Sequence, residues 1–310
     1  MHNVHSKRLT GLDQARGVAL IAMTAYHLSW DLFSLGLTSI NPVSTSVLAW
    51  SAKIIAASFL WLSGIALTLA HPDQIHWNKV WQRSLRLFAA AGLVSLGSYS
   101  LFPASWIAFG ILHHMALAGL LGLLVLRLSL TVLLSLAGLC FILPLFAKTA
   151  LFNPPVWLFL GLSTVVAPAN DYVPLLPWFG FVLGGITMAR LWPQKPTGNH
   201  HPLSRSQRLF GFLGRHSLLY YLIHQPLILG MLNVLLAFGI LSPTEIIRAE
   251  FTNACERDCS FDQGDEKMCR RLCSCLFENL QQTPDLLATP PASMTPAQED
   301  RLRAAIRQCR

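Results

Sequence analysis

Long apolar segments alternate with short polar ones along the first 241 residues of the chain. An α-helix rises 1.5 Å per residue, so about 20 apolar residues are enough to cross the hydrocarbon core of a bilayer. The pattern therefore predicts an all-α, polytopic membrane helix bundle. Seven segments are predicted to cross the bilayer: 17–37, 45–70, 85–102, 105–126, 129–147, 174–192 and 217–241.

An eighth apolar segment, 151–166, is shorter and contains two adjacent prolines, Pro154 and Pro155. Lysine and arginine accumulate in the cytoplasmic loops of membrane proteins, and by this rule Arg127 and Lys195 are both cytoplasmic. An even number of crossings must separate them, so 151–166 is predicted to be re-entrant or interfacial on the outer side. Seven crossings then leave the N-terminus inside and the C-terminus outside. The alternative of eight crossings violates the charge pattern once.

The other basic residues favour the same orientation. The polar start of the chain has no cleavage site after a short apolar core, so the first segment is expected to remain as an anchor. These features predict a multi-pass protein whose partner is the lipid bilayer. The basic residues concerned are Lys7, Arg8, Arg16, Lys79, Arg83, Arg86, Arg205, Arg208 and Arg215.

Composition agrees with a membrane protein. Hydrophobic residues make up 53% of the chain and charged residues only 12%, whereas soluble domains carry about 25% charged residues. The formal net charge is +8. Because no basic stripe is interleaved with aromatic residues, we interpret this charge as an orientation signal, and no nucleic acid partner is expected. The oligomeric state is left open by the sequence.

Residues 242–310 differ from the transmembrane domain predicted for 1–241, because they are charged, helix-prone and rich in cysteine. We interpret them as a small extracytoplasmic, cysteine-rich helical appendage, called the tail below. Four of its cysteines follow the pattern C-x3-C, nine residues, C-x3-C, and x3 spacing places two thiols on one helix face. A disulfide-linked hairpin of two such helices requires an oxidising compartment, in agreement with an outside C-terminus. A zinc site is the alternative.

The tail contains six of the seven cysteines: Cys255, Cys259, Cys269, Cys273, Cys275 and Cys309. The seventh, Cys140, lies alone in a predicted transmembrane segment and is expected to be a small core residue.

Ionisable side chains inside predicted membrane helices are candidate functional groups, because a charge at the bilayer centre costs several kcal/mol. His27 lies eleven residues after Arg16, which places both on one helix face, about 16 Å apart along the axis. Asp31 follows His27 by one turn and is positioned to orient its imidazole. In the simpler interpretation, Arg16 reaches the headgroups and His27 bonds a neighbouring carbonyl. Asp171 is either an acceptor-site carboxylate or a charge at a helix N-terminus.

Two further segments carry histidines at a similar predicted depth. His113 is expected about 12 Å from the outer end of 105–126. Adjacent helical residues point in different directions, so only one of His113 and His114 is expected to face a shared cavity. His224 lies nine residues after Arg215 in the last segment. A polar cavity lined by such histidines would suit a metal site, a proton path or an acyl-transfer site.

Arg16 and His27, with ten residues between them, resemble the R-x10-H signature of transmembrane acyltransferases of the acyltransferase-three type. Four motifs in order resemble bacterial relatives of heparan-α-glucosaminide N-acetyltransferase, and the resemblance covers about residues 8–241. The tail lies outside it. The motifs are LDQARGVALIAMTAYHLSWDLF, FGILHHMAL, DYVPLLPWFGFVLGGI and LGRHSLLYYLIHQPL.

This resemblance implies an acyltransferase of the bacterial inner membrane. It would move an acetyl group from cytosolic acetyl-CoA to a hydroxyl or amine of an extracytoplasmic glycan or small-molecule acceptor. His27 would be the base toward the acceptor or a transient acetyl carrier. His113 and His224 would position the thioester or stabilise its oxyanion, and Arg16 and Arg215 would bind the coenzyme A phosphates.

No metal is expected in such a site. The alternatives to this function are a proton-coupled membrane transporter and a haem- or metal-binding membrane protein, each of which would use the same intramembrane histidines.

Overall fold

The computed structural model describes residues 10–38, 40–165, 169–191, 204–241, 243–263, 265–281, 283, 286 and 294–309. Within these ranges the secondary structure is helical, without a strand, so the predicted all-α class is confirmed. Lys7, Arg8 and Lys195, on which the predicted orientation partly depends, lie outside the described residues.

Eleven α-helices can be delimited in the described ranges, together with two 3-10 helices. The α-helices are α1 Thr10–Ser34, α2 Ser46–Ala70, α3 Trp77–Leu101, α4 Ile111–Val125, α5 Leu130–Phe146, α6 Leu175–Leu191, α7 Arg205–Arg215, α8 Ser217–Ala237, α9 Pro243–Gln263, α10 Glu266–Gln281 and α11 Pro296–Cys309. The 3-10 helices are Ala150–Phe152 and Pro155–Leu160.

Three of these helices, α2, α3 and α8, are long and apolar enough to cross a membrane. The helices α4, α5 and α6 are shorter but also apolar. Large apolar side chains are exposed along them, for example Leu96 at 69% and Leu134 at 56%. A soluble protein does not expose apolar surface on this scale, because it would associate or aggregate. The helices therefore identify a membrane protein.

Between α5 and α6, the described residues 147–165 and 169–174 contain no helix long enough to cross the bilayer. Its 3-10 helices have three and six residues, or roughly 12 Å at most at 2.0 Å per residue. The amide of Thr149 donates to the carbonyl of Leu162 at 3.2 Å, which closes the segment into a compact loop. This agrees with the prediction that 151–166 does not span. The total of seven crossings stays a prediction.

Hydrogen bonds between loops show which helix ends lie together. Arg127, after α4, donates to the carbonyl of Asp73, after α2. At the opposite end of α4, the amide of Asn170, in the segment before α6, donates to the carbonyl of Ser105 at 3.0 Å. The loops 71–76 and 126–129 thus share one end of the bundle, and the loops 102–110 and 169–174 share the other. This is the alternation that the positive-inside analysis predicts.

Three predicted helix starts are wrong, and that of the last segment is confirmed. α1 and α3 begin at Thr10 and Trp77, before the predicted 17 and 85, whereas α8 begins at Ser217 as predicted. The fourth segment was predicted to begin at residue 105, but α4 begins at Ile111, because Pro103 and Gly110 interrupt the helical backbone before it. The last segment was predicted to place Arg215 and His224 on one helix. The chain instead ends α7 at Arg215, turns at His216 and starts α8 at Ser217.

The chain forms two compact units. One comprises the residues up to His27 together with Val47–Leu227, and the other comprises Leu28–Ser46 together with the residues from Ile228 onward. The domain boundary predicted between 241 and 242 stays a prediction.

The first unit is organised around α6, whose residues Val182, Leu183 and Ile186 are at most 1% exposed. They pack with apolar side chains of α2, α4 and α5. Two glycines bring α2 and α6 into backbone contact. A Cβ atom on Gly64 would collide with the carbonyl of Val182, and one on Gly185 would collide with the carbonyl of Trp61. Close backbone approach through small residues is typical of helices packed within membranes.

The second unit contains the tail, and three disulfides join its helices. Cys255–Cys273 and Cys259–Cys269 link α9 to α10 as the predicted hairpin. A third disulfide, Cys275–Cys309, joins α11 to α10. All six tail cysteines are therefore paired, so the zinc alternative is wrong. Cys140 is a buried free thiol, as expected.

Candidate active site

Two histidines from different helices meet in the first unit. The ring centroids of His27 on α1 and His224 on α8 are 5.1 Å apart, with the ring planes tilted by 56°. His224 is buried at 6% exposure, and His27 is half-buried. The ring of Tyr220 stacks parallel to His224 at 5.9 Å. Of the three candidate histidines predicted to share a cavity, the structure therefore brings two into ring contact.

The hydrogen bond of His224 fixes the tautomer of its neutral ring. Its Nδ1 lies 2.7 Å from the backbone carbonyl of Tyr221, one turn earlier. A carbonyl only accepts hydrogen bonds, so Nδ1 carries the hydrogen and the lone pair lies on Nε2. Among the described residues, no hydrogen-bond partner exists for this buried Nε2 atom. A basic nitrogen is thus held away from competing donors, beside His27.

A second contact holds α1 and α8 in register at this site. The hydroxyl of Thr24 donates to the carbonyl of Leu20 at 2.9 Å and lies 2.8 Å from the Tyr220 hydroxyl. Since the Thr24 hydrogen is used within α1, Tyr220 is the donor between the helices. Thr24 and Tyr220 each lie about one turn from the histidine of their own helix, so this bond positions the imidazole pair.

Asp171 connects three elements at the end of the bundle where α4 begins. Its Oδ2 accepts the amide hydrogen of Ile111 at 2.9 Å, and its carboxylate accepts the hydroxyl hydrogen of Tyr221. Removal from water raises the pKa of the Asp171 carboxyl, and these two hydrogen bonds oppose the shift. Two roles are considered for Asp171, and the structure shows the one at a helix N-terminus. The carboxylate caps the N-terminus of α4, however, and not that of α6, the helix that follows it in the chain. The sequence contains no local signal for this contact.

His113 lies elsewhere than predicted. It is in the first turn of α4 and not near the middle of a helix that starts at residue 105. Its Nδ1 accepts the amide hydrogen of Gly110 at 3.2 Å, and its Nε2 lies 3.2 Å from the Ser95 hydroxyl. Both nitrogens therefore have partners in α3 and α4. No ring contact or hydrogen bond joins His113 to His27 or His224 in the described part of the chain.

The neighbouring His114 is completely buried. Its Nδ1 lies 3.2 Å from the carbonyls of both Val173 and Pro174, so it ties α4 to the segment that precedes α6. This is the packing role expected for one member of the pair.

Asp31 is completely buried on α1, four residues after His27. It lies in the second compact unit, whereas His27 lies in the first. Its predicted role in orienting His27 stays a prediction.

The predicted phosphate-binding arginines lie at one helix crossing. Arg16 pairs with Asp13 at 3.5 Å, and the backbone of Gly214 touches the Asp13 carbonyl, which brings the neighbouring Arg215 to the same place. The Arg215 side chain is exposed. Arg83 on α3 is a further residue of this region, because its guanidinium is close enough to repel that of Arg16. Sequence reasoning used Arg83 only as an orientation signal.

No cluster of three or more His, Cys, Asp or Glu side chains with metal-binding geometry occurs among the residues that the structure describes. The His27 and His224 rings contact each other directly. This contact leaves no space for a flat macrocycle between them, as a haem with these two axial ligands would need.

Comparison with known proteins places this site in a family. No curated protein and no solved structure matches the chain. The family model described as heparan-alpha-glucosaminide N-acetyltransferase, catalytic, matches residues 8–226. That range includes the imidazole pair, both predicted arginines and Arg83, and it ends before the tail. The chain therefore belongs to the heparan-alpha-glucosaminide N-acetyltransferase family of membrane acetyltransferases.

Proposed function

We propose that this protein transfers the acetyl group of cytosolic acetyl-CoA to a hydroxyl or amine of an acceptor on the outer side of a bacterial inner membrane. The main support for the proposal is the contact between the His27 and His224 rings in a helical protein of an acetyltransferase family. The acceptor is proposed to be a glycan or another small molecule.

The imidazole pair supplies the chemistry that this reaction needs. The acceptor oxygen or nitrogen attacks the thioester carbonyl while an imidazole removes its proton. The C–S bond breaks, coenzyme A leaves as a thiolate, and the imidazolium returns the proton to the sulfur. In the alternative route His27 attacks the thioester carbonyl and coenzyme A leaves as a thiolate. The acceptor then attacks the acetyl carbon, the C–N bond breaks, and the imidazole of His27 is released. With its lone pair on Nε2, His224 suits the proton-accepting role in either route.

The arginines at the α1–α7 crossing suit the donor. Coenzyme A carries several phosphate charges, and guanidinium groups bind phosphate oxygens through paired hydrogen bonds. Arg16 is paired with Asp13 at 3.5 Å, and the like charge of Arg83 lies within electrostatic range of Arg16, so a bound phosphate would compensate the remaining positive charge. We include Arg83 with Arg16 and Arg215 as phosphate-binding residues. Asp31 and His113 are proposed to support the site from α1 and α4.

The decisive experiment uses purified full-length protein and acetyl-CoA labelled on the acetyl group. Wild type is compared with His27→Ala for donor binding and for the release of acetate or acetylated protein. We expect both proteins to bind the donor, and turnover in His27→Ala to fall by about 10²–10⁴-fold, the usual contribution of a positioned acid or base.

The matched control is His216→Ala, which removes an exposed histidine at the α7–α8 turn. It should retain wild-type turnover. Absence of donor binding by the wild type would contradict the proposal. Equal turnover by wild type and His27→Ala would instead remove the catalytic role of His27 while leaving the donor class intact.

A further inference from the structure

The short helix α7 has one face that the described part of the molecule leaves exposed. α7 packs antiparallel on the start of α1. A Cβ atom on Gly17 would collide with the carbonyl of Phe210, and one on Gly214 would collide with the carbonyl of Asp13. The Gln14 amide also donates to the carbonyl of Gln207 at 3.3 Å. The buried side of α7 is therefore a narrow glycine face in backbone contact with α1.

The opposite side of α7 is both apolar and basic. Leu209 is 55% exposed and Phe212 is 53% exposed. Arg205 and Arg208 are also exposed. The four residues follow an i, i+3, i+4, i+7 pattern, so they share one face of the helix. We call these four residues the α7 outer face.

The charges of this face have no compensation within the described part of the chain. Neither Arg205 nor Arg208 forms an ion pair there, and the sequence contains no acidic residue between Asp171 and Glu245. Both arginines lie in the first turn or just after it, where the helix dipole disfavours positive charge. Two like charges three residues apart also repel. Helix stability therefore does not account for these arginines. Besides their contribution to the orientation in the membrane, their uncompensated charge suits an external anion.

The position of α7 identifies the source of that anion. α8 begins at Ser217, two residues after α7 ends, and is long and apolar enough to cross a membrane. α7 thus lies where the chain enters the bilayer. A helix with exposed apolar side chains beside arginines lies in the interface plane, with its apolar side chains among acyl chains and its cations among headgroups.

We propose that the α7 outer face is a binding surface for anionic phospholipid, with the lipid phosphate between Arg205 and Arg208 and the acyl chains against Leu209 and Phe212. This inference is independent of the acetyl-transfer chemistry. Each basic residue near an anionic membrane surface contributes about 1 kcal/mol, so two arginines correspond to roughly a thirtyfold preference over a neutral lipid.

The test measures binding of fluorescent phosphatidylglycerol and fluorescent phosphatidylcholine to the purified full-length protein in detergent. Wild type should bind phosphatidylglycerol at least tenfold more tightly. Arg205→Gln/Arg208→Gln should lose most of this preference, whereas Leu209→Ser/Phe212→Ser should weaken binding of both lipids alike. The matched control is Arg271→Gln/Arg307→Gln, which removes two exposed arginines of the tail and should keep the wild-type preference.

Unfolding temperatures in phosphatidylcholine confirm that each variant is folded before its affinity is compared. Retention of the preference by Arg205→Gln/Arg208→Gln would overturn the proposal. Displacement of phosphatidylglycerol by equimolar inorganic phosphate would also overturn it, because the surface would then be a site for free phosphate and not for a lipid.

Discussion

The helices of the first unit and those of the tail are held together by different interactions. Residues 1–241 contain only four acidic residues, whereas residues 242–310 contain the other eleven of the fifteen. The helices of the first unit are joined by apolar side chains and by glycines in backbone contact. The tail helices are joined by three disulfides around a small apolar cluster.

The physical reason for the difference is the solvent. In lipid, every polar backbone group must be satisfied within the helix, and close packing holds the helices together. In water, a segment of about 70 residues buries too little apolar surface to be stable without covalent help. The imidazole pair of the proposed site lies in the first unit.

The largest effect should come from a cavity in the first unit. Leu183 is completely buried on α6, and Leu183→Ala should cost about 2–5 kcal/mol of unfolding free energy, because the void is not refilled. Denaturant titration in mixed micelles measures the loss. The control is Leu134→Ala on the exposed surface of α5, which should cost much less. Equal losses would mean that packing does not organise this unit around α6.

The second prediction tests whether the tail is stabilised independently of the first unit. The disulfide Cys275–Cys309 closes the longest of the three loops, with a sequence separation of 34. Its removal by Cys275→Ser/Cys309→Ser should cost about 3–4 kcal/mol in the tail. Hydrogen exchange should then rise in α11 and leave α6 unchanged. Cys140→Ser is the control for thiol removal in the first unit. Loss of protection in α6 would contradict independent stabilisation.

A third, smaller effect tests how His224 is held. Tyr221→Phe removes the hydroxyl that donates to Asp171, while the Tyr221 carbonyl still accepts from His224. A hydrogen bond to a charged group contributes about 1.5–3 kcal/mol. If about 1.4 kcal/mol of this serves to position His224, acetyl release should slow roughly tenfold with unchanged donor binding. Tyr99→Phe, on the exposed side of α3, is the control. Unchanged turnover would show that the Tyr221–Asp171 bond does not position His224.

The smallest expected effect distinguishes a structural His113 from a catalytic one. Ser95→Ala removes the partner of His113 Nε2 and the hydrogen bond that the Ser95 hydroxyl donates to the carbonyl of Ile107, and should cost about 1–2 kcal/mol of stability. Turnover should change little if His113 only joins α3 to α4. Ser100→Ala, whose hydroxyl bonds only the carbonyl of Leu96 within its own helix, is the control. A large loss of turnover in Ser95→Ala alone would favour the proposed catalytic support by His113.

The elements that could be predicted from sequence are those governed by local pattern. The limits of α2, α5 and α6 fall within one residue of the predicted segments, because the length of an apolar segment and its polar ends are local properties. The C-x3-C spacing likewise predicts the α9–α10 hairpin, since one helix face must carry both thiols.

The features that escaped prediction depend on contacts distant in sequence. The cap on the first turn of α4 comes from the Asp171 carboxylate, which accepts the amide hydrogen of Ile111 from 60 residues away. The separation of α7 from α8 follows from the packing of Gly214 on α1. The third disulfide depends on where α11 returns to α10. Contacts of this kind cannot be predicted from the periodicity of a single helix. For the same reason, the sequence does not identify Arg83 and Tyr221 as candidate residues of the site.

The unbroken course of α1 has a mechanical consequence. Between Gly17, where α7 touches the α1 backbone, and His27 the helix contains no proline and no further glycine. Ten residues of helix form a stiff rod of roughly 15 Å. A small displacement of α7 at the boundary of the bilayer would therefore tilt or shift α1 as a unit, and the imidazole of His27 would move with it. α1 is therefore the stiff connection between its contact with α7 at Gly17 and the imidazole of His27.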